Sequence, residues 1–293
     1  MATTVVIAGA DGQLGRELQC TAPTGVRCLG LNRTQLDITD PASIHRCLQE
    51  LQPAWLLNAA AYTAVDRAEQ EEALALQVNA EGAANLATAC AERDIRLLQV
   101  STDFVFSGES GRPYQVDAPP EPLGAYGRSK LAGEQAVVSA LPEVLILRTG
   151  WVYSRFGSNF VKTMLRLMGE RDALSVVCDQ VGTPTWGRGL AQAAWAAVAR
   201  PQLHGIYHWS DAGVCSWYDF AVAIAEEGLA GGLLSHAVTV TPIPSSDYPT
   251  PARRPAFSVL DKQRSWRDLG LPPHHWRVQL RAMLQDLKDN GHE

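Results

Sequence analysis

None of the six cysteines stands in C-x-x-C spacing: Cys20, Cys28, Cys47, Cys90, Cys178 and Cys215 are scattered along 293 residues. That scatter excludes an obvious disulfide framework or thiolate zinc site and points to free thiols in a reducing cytosol. No metal-ligating cluster is apparent either. Positive charge is scarce, with 25 Lys and Arg against 31 Asp and Glu, a formal net charge of −6. General binding of nucleic acid or another polyanion is therefore not expected. No run of eighteen uninterrupted apolar residues exists, and no basic segment leads into an apolar one ahead of the first strand-like residues. Neither membrane spanning nor secretion is expected, and the chain reads as cytoplasmic. Internal repeats and low-complexity tracts are missing too.

What is present describes a globular chain, 46% hydrophobic and 19% charged, long enough for one large domain or two modest ones. Residues 3–10 (TTVVIAGA) form an apolar, β-branched run of the kind buried on both faces of a parallel sheet. Gly9, Gly12 and Gly15 follow in G-x-x-G-x-x-G spacing, and a helical pattern opens directly after them. Strand, glycine turn and helix in that order suit a dinucleotide pyrophosphate: glycines let backbone approach it, and the helix end supplies N–H groups and positive potential. A second strand ends at Asn32-Arg33, where NAD-preferring sites carry a carboxylate for the adenosine ribose. Arg33 could instead pair with the 2′-phosphate of NADP, or be solvated in a loop.

A helix over about 40–52, opened by Asp40-Pro41, leads to a third strand ending in Asn58 and Ala59 to Ala61, with Tyr62 and Thr63 next. A long helix is expected over roughly 66–93, and Gly82 inside it signals close packing, since glycine there costs about 1 kcal/mol against alanine. Strand four ends in Ser101-Thr102-Asp103, a hydroxyl and a carboxylate where doubly wound sheets bind ligands. Tyr126 and Lys130 stand four residues apart on one helix face. A phenol titrates near ~10, and a nearby ammonium lowers that value, so the pair suits proton transfer to a carbonyl oxygen. Strand five spans 144–153 and a sixth parallel strand lies at GIYHWSD. Beyond 153 the strand–helix rhythm loosens. The expected architecture is α/β: a Rossmann-type doubly wound parallel sheet over 1–153, completed by about 187–231. Residues 154–186 and 232–293 form a smaller substrate-binding lobe and closing helix.

Together these residues make the chain resemble the extended short-chain dehydrogenase/reductase superfamily and, within it, the family of dTDP-4-dehydrorhamnose reductases. The resemblance is carried nearly end to end by GADGQLG (9–15), LDITDP (36–41), NAAAYTAVDRAE (58–69), STDFVFSG (101–108), YGRSKLAGE (126–134), RTGWVY (148–153), NFVKTMLRL (159–167), DQVGTPT (179–185) and YPTPARRPAFSVLD (248–261). It implies catalysis by Thr102, Tyr126 and Lys130. The cofactor, NADPH with NADH as the alternative, would contact Gly9, Gly12, Gln13, Leu14 and Gly15. Asn32, Arg33, Asp37 and Ile38 would face its adenosine end, and Ala61, Tyr62 and Thr63 its pyrophosphate and nicotinamide side. Thr102, Asp103, Trp151, Asn159 and Arg253 would contact a dTDP-sugar. The implied reaction reduces the C4 keto group of dTDP-4-dehydro-L-rhamnose, in an enzyme for which a homodimer is compatible. Related dehydratases carry two adjacent acids after the threonine, whereas Phe104 follows Asp103 here. Epimerases of the same scaffold retain bound NAD, and non-catalytic NADP-binding relatives share the core.

Overall fold

Alternating small and branched apolar residues build six parallel strands: β1 (Thr3–Ala8), β2 (Val26–Leu31), β3 (Trp55–Asn58), β4 (Arg96–Thr102), β5 (Leu145–Thr149) and a sixth, Gly205–His208. The computed structural model describes residues 2–291. Spatial order runs sixth strand, β5, β4, β3, β1, β2, so the winding reverses between β1 and β3. A crevice for a ligand opens at the carboxyl ends of the strands where such a reversal occurs.

Helices cover both faces, as a parallel sheet requires. Val5 and Ile7 face α1 (Gln13–Cys20) and a later helix, Gly187–Val198. Val6 and Ala8, one residue out of phase, face α2 (Pro41–Leu51) and a second layer of helices. Pro41 stands at the first helical position of α2, and the Asp40 carboxylate accepts from the Ala42 N–H at 2.9 Å, as the sequence indicates. The long helix expected over 66–93 is divided into α3 (Val65–Ala68), α4 (Glu72–Leu76), a π turn (Gln77–Glu81) and α5 (Gly82–Ala91). The π turn swings Asn79 inward, where its amide holds the backbone of Tyr62; such turns recur at functional sites. A Cβ on Gly82 would stand 2.8 Å from Ile38 Cγ1, the close packing its sequence position signalled.

α6 (Ala125–Ala140) follows, then α7 (Phe160–Glu170), α8 (Gly187–Val198), α9 (Trp217–Ala230), α10 (Gln263–Leu269) and α11 (Trp276–Asn290). A third apolar cluster joins Met164 and Met168 of α7, Phe220 and Ile224 of α9, and Leu280 and Leu284 of α11. It includes Leu174 and Val176 from a parallel strand pair, Ala173–Val177 with Thr239–Ile243. α1 is tied toward this cluster by charge: the fully buried Glu17 accepts from Ser154 Oγ at 2.6 Å and pairs with Arg188, which pairs with Asp286 at 2.7 Å. Among the described residues, no group of three His, Cys, Asp or Glu could hold a metal, and no helix is long and apolar enough to cross a membrane.

Candidate active site

The glycine turn after β1 divides its work among three positions. Gly9 has φ +79°, and a Cβ there would lie 2.6 Å from Ala60 N in the segment after β3. A Cβ on Gly15 would lie 2.2 Å from Gly9 O, so Gly15 lets α1 descend onto the turn. Gly12 is different, because the nearest atom to a Cβ there is 3.4 Å away. The space beside Gly12 is thus left for something other than protein. Among the described residues no side chain caps α1, so its first-turn N–H groups, from Gln13, Leu14 and Gly15, point out of a positive helix end. These features fit a dinucleotide pyrophosphate at the reversal point of the sheet.

Among the residues expected to face the adenosine end, Arg33 is exposed and pairs with Asp37 at 3.4 Å. The Asp37 carboxyl lies below its usual range, chiefly through the Thr39 hydroxyl, which donates to it at 2.7 Å. Asn32 uses its side-chain oxygen to close the turn over Thr34 and Gln35. Ile38 is buried against Gly82. Of these four, Arg33 retains an uncommitted head group that could reach a phosphate.

α6 carries Tyr126 and Lys130 and is held by contacts from far along the chain. Glu69 accepts from the Ala125 N–H at 2.8 Å, putting a carboxylate on the positive end of the helix. A Cβ on Gly127 would lie 2.3 Å from Phe104 O, and one on Gly133 would lie 2.1 Å from Asn79 O. These two glycines let α6 approach both the Thr102 segment and the π turn. Ser129 is buried between them, donating to Tyr126 O at 2.8 Å and accepting from Asn79 Nδ2 at 3.0 Å. The Tyr126 ring packs edge-on against Phe104 and beside Tyr62.

The spacing predicts that Lys130 lowers the Tyr126 pKa, and the structure differs. The phenol is pushed up to about 12, by burial first, against the lowering influence of the Thr102 hydroxyl and with the Asp103 charge adding to the rise. Lys130 is itself depressed to about 8 by burial, opposed by Glu134, and its ammonium donates to the Val100 carbonyl at 2.7 Å. Tyr126 therefore keeps its proton throughout the neutral range and is loaded as an acid.

Thr102 and Asp103 are both buried at the end of β4. Thr102 Oγ1 donates to Asp103 Oδ1 at 3.1 Å and accepts from the Phe104 N–H at 3.2 Å. Burial lifts the Asp103 carboxyl to about 6, opposed by the hydroxyls of Ser258 and Thr102. A Cβ on Gly150 would lie 2.5 Å from this carboxyl. The strand expected over 144–153 instead stops at Thr149 and resumes as Val152–Tyr153 against Thr185–Trp186. Between the two pieces, Trp151 takes φ +52° and stacks flat on Trp217 at 3.5 Å, against Gly182.

Asn159 caps α7 and donates to Gln13 Oε1 at 2.9 Å, so it touches the glycine turn directly. The two arginines locked between prolines take different tasks. Arg254 forms a bidentate pair with Asp66 at 2.7 and 2.9 Å and so fastens the loop to α3. Arg253 makes no such pair among the described residues and lines a cavity of about 480 Å³ with Ser107, Asp179, Gln180 and Tyr248. Ala61 and Tyr62 are half-buried, Tyr62 beside Tyr126, and Thr63 is exposed. The Tyr62 hydroxyl turns to Glu71, to which it donates at 2.5 Å.

Sequence reasoning passed over Asn79, Glu69, Ser129, Glu134 and Arg148. One signal was available: Gly127 and Gly133 inside one helix are costly unless another backbone passes close by.

A family model described as RmlD substrate binding domain matches residues 3–289. The chain is 44% identical to a dTDP-4-dehydrorhamnose reductase of Streptomyces griseus, over 94% of this chain and 91% of that one. It is 40% identical to a dTDP-4-dehydrorhamnose reductase of Aggregatibacter actinomycetemcomitans, over 94% and 97%. Its structure superimposes, with a TM-score of 0.91 and 36% identity, on a crystal structure of dTDP-4-dehydrorhamnose reductase from Bacillus anthracis in complex with NADP, covering 98% of this chain and all of that one.

Proposed function

Since the chain belongs to the family described as RmlD substrate binding domain, we propose that it reduces the C4 keto group of dTDP-4-dehydro-L-rhamnose to give dTDP-L-rhamnose. The observation that carries this reading is that Thr102, at the end of β4, neighbours the Tyr126 phenol of α6, while Lys130 of the same helix reaches back to the Val100 carbonyl of β4. NADPH, when bound, supplies the hydride. Tyr126 gives its proton to the keto oxygen as negative charge grows there, and Thr102 steadies that oxygen by hydrogen bonding. Lys130, held by the Val100 carbonyl at 2.7 Å, keeps a cation beneath the reacting centre and within reach of a cofactor ribose. Asp103 and Trp151 flank the sugar, Asn159 the diphosphate, and Arg253 in its cavity takes the nucleotide end of the substrate. The cytoplasm remains the compartment of choice, supported by six cysteines that stay unpaired in the structure.

The test is NADPH oxidation by purified protein with dTDP-4-dehydro-L-rhamnose. Turnover with stoichiometric dTDP-L-rhamnose supports the assignment. Normal cofactor binding without turnover replaces it with a non-catalytic NADP-binding role.

Arg33 provides a second check. Its surface pair with Asp37 is worth at most about 0.5 kcal/mol, so the guanidinium is free to turn to a 2′-phosphate. Arg33→Ala should weaken NADPH roughly tenfold and NADH hardly at all, as read by fluorescence titration of each nucleotide. Equal losses for the two would remove Arg33 from phosphate recognition.

A further inference from the structure

Each reduction leaves Tyr126 without the proton it gave to the sugar, and that proton must be replaced before the next turnover. Lys130 is committed to the Val100 carbonyl and buried. A continuous polar path leads elsewhere. The Thr102 hydroxyl lies within hydrogen-bonding influence of the phenol and donates to Asp103 Oδ1 at 3.1 Å. The Asp103 carboxyl is 2% exposed, with Ser258 on another side and the Gly150 backbone behind it. Tyr126 is its titratable neighbour on α6, and no lysine or arginine among the described residues pairs with it. A carboxyl closed off from water without a cationic partner is under pressure to hold a proton.

We propose that Asp103 is the proton reservoir that reloads Tyr126 through the Thr102 hydroxyl. The inference rests on the reductase reading. In the balanced sequence, the Tyr126 O–H bond breaks as the keto oxygen gains the proton and C4 gains the hydride. Thr102 then passes its hydroxyl proton to the phenolate oxygen, and the Asp103 acid passes its own to Thr102 Oγ1. Asp103 is left as a carboxylate and takes a proton from water when product leaves. Each transfer runs toward the more basic oxygen, and Thr102 and Asp103 are joined by the 3.1 Å contact above. The lift of Asp103 to about 6 makes it a group that gains and loses a proton near neutrality, whereas an ordinary aspartate would be empty.

The test uses Asp103→Asn in rapid-mixing and steady-state NADPH oxidation at saturating sugar. Asparagine keeps the size and removes the buried charge, and NADPH titration reads whether the variant is folded. Because Tyr126 starts loaded, the first equivalent of NADPH per site should be oxidised faster than any later one, whatever the substitution does to the sugar contacts. Later turnovers should be slower by about tenfold or more, and added formate should restore them without changing the first. Equal slowing of the first and later turnovers, or no slowing of either, overturns the relay. The reductase reading survives either result as long as wild type turns over; a wild type that oxidises no NADPH sinks both. Should the variant fail to fold, the solvent-isotope proton inventory of wild-type turnover takes its place. A bowed inventory supports several protons moving in series, and a linear or flat one overturns the proposal.

Discussion

Replacing Tyr126 by phenylalanine is expected to lower kcat by roughly 10²–10⁴-fold, the usual contribution of a positioned general acid. NADPH affinity should stay within about twofold, because the cofactor is held by the glycine turn and the α1 terminus, which the change does not touch. The ring contributes its packing against Phe104 and Tyr62, and phenylalanine preserves it. What disappears is the O–H. The phenol of this partly buried ring is pushed up to about 12, so the protonated form is the donor at neutral pH. Steady-state kinetics beside a fluorescence titration of NADPH separate the two quantities. A kcat near wild type would remove Tyr126 from the chemistry, and a parallel loss of NADPH binding would mean that the substitution had disturbed α6.

The second large effect concerns stability. Glu134, one turn beyond Lys130, forms a bidentate pair with Arg148 of β5 at 2.9 and 2.6 Å, with side chains only 4% and 3% exposed. Arg148 also lies over the Phe106 ring and donates to Val116 O, so it fastens α6, β5 and the loop before α6 together. Arg148→Met leaves a carboxylate buried without its partner. The expected loss is about 3–5 kcal/mol, which for a chain of this size lowers Tm by around 10 °C. Arg148→Met with Glu134→Leu should recover most of that loss, since removing both charges also removes their desolvation cost. Urea and thermal melts of the two variants decide the matter. A single variant losing under about 1 kcal/mol would show that water or a neighbour relieves Glu134.

Much of the fold was legible because its signals are local. The β-branched run at 3–8 and the glycines at 9, 12 and 15 predict strand, turn and helix, and the structure supplies each in place. The i, i+4 spacing puts Tyr126 and Lys130 on one helix, which holds in α6. Elsewhere local signals ran out. Helical composition over 66–93 gave no hint that Asn79 would leave the α-helical ladder, because its partners, Tyr62 and Ser129, are 17 and 50 residues away. The apolar run through 153 looked like one strand, yet Trp151, at φ +52° and stacked on the distant Trp217, interrupts it.

The same division holds for the chemistry. Two adjacent arginines between prolines looked like one basic unit, and Asp66, distant in sequence, claims Arg254 and leaves Arg253 to the cavity. Lys130 looked like the residue that sets the Tyr126 pKa, and burial, which raises it, is the leading influence instead.

The order of residues by itself determined the strand runs, the glycine turn, the helix faces and the identity of the reactive groups, because backbone sterics and side-chain periodicity act between near neighbours in the chain. Only the tertiary structure decided which of those groups meet, how deeply each is buried and which protons they hold. Solvent exclusion and charge pairing are set by whatever folds in from elsewhere, and no short stretch of sequence contains that.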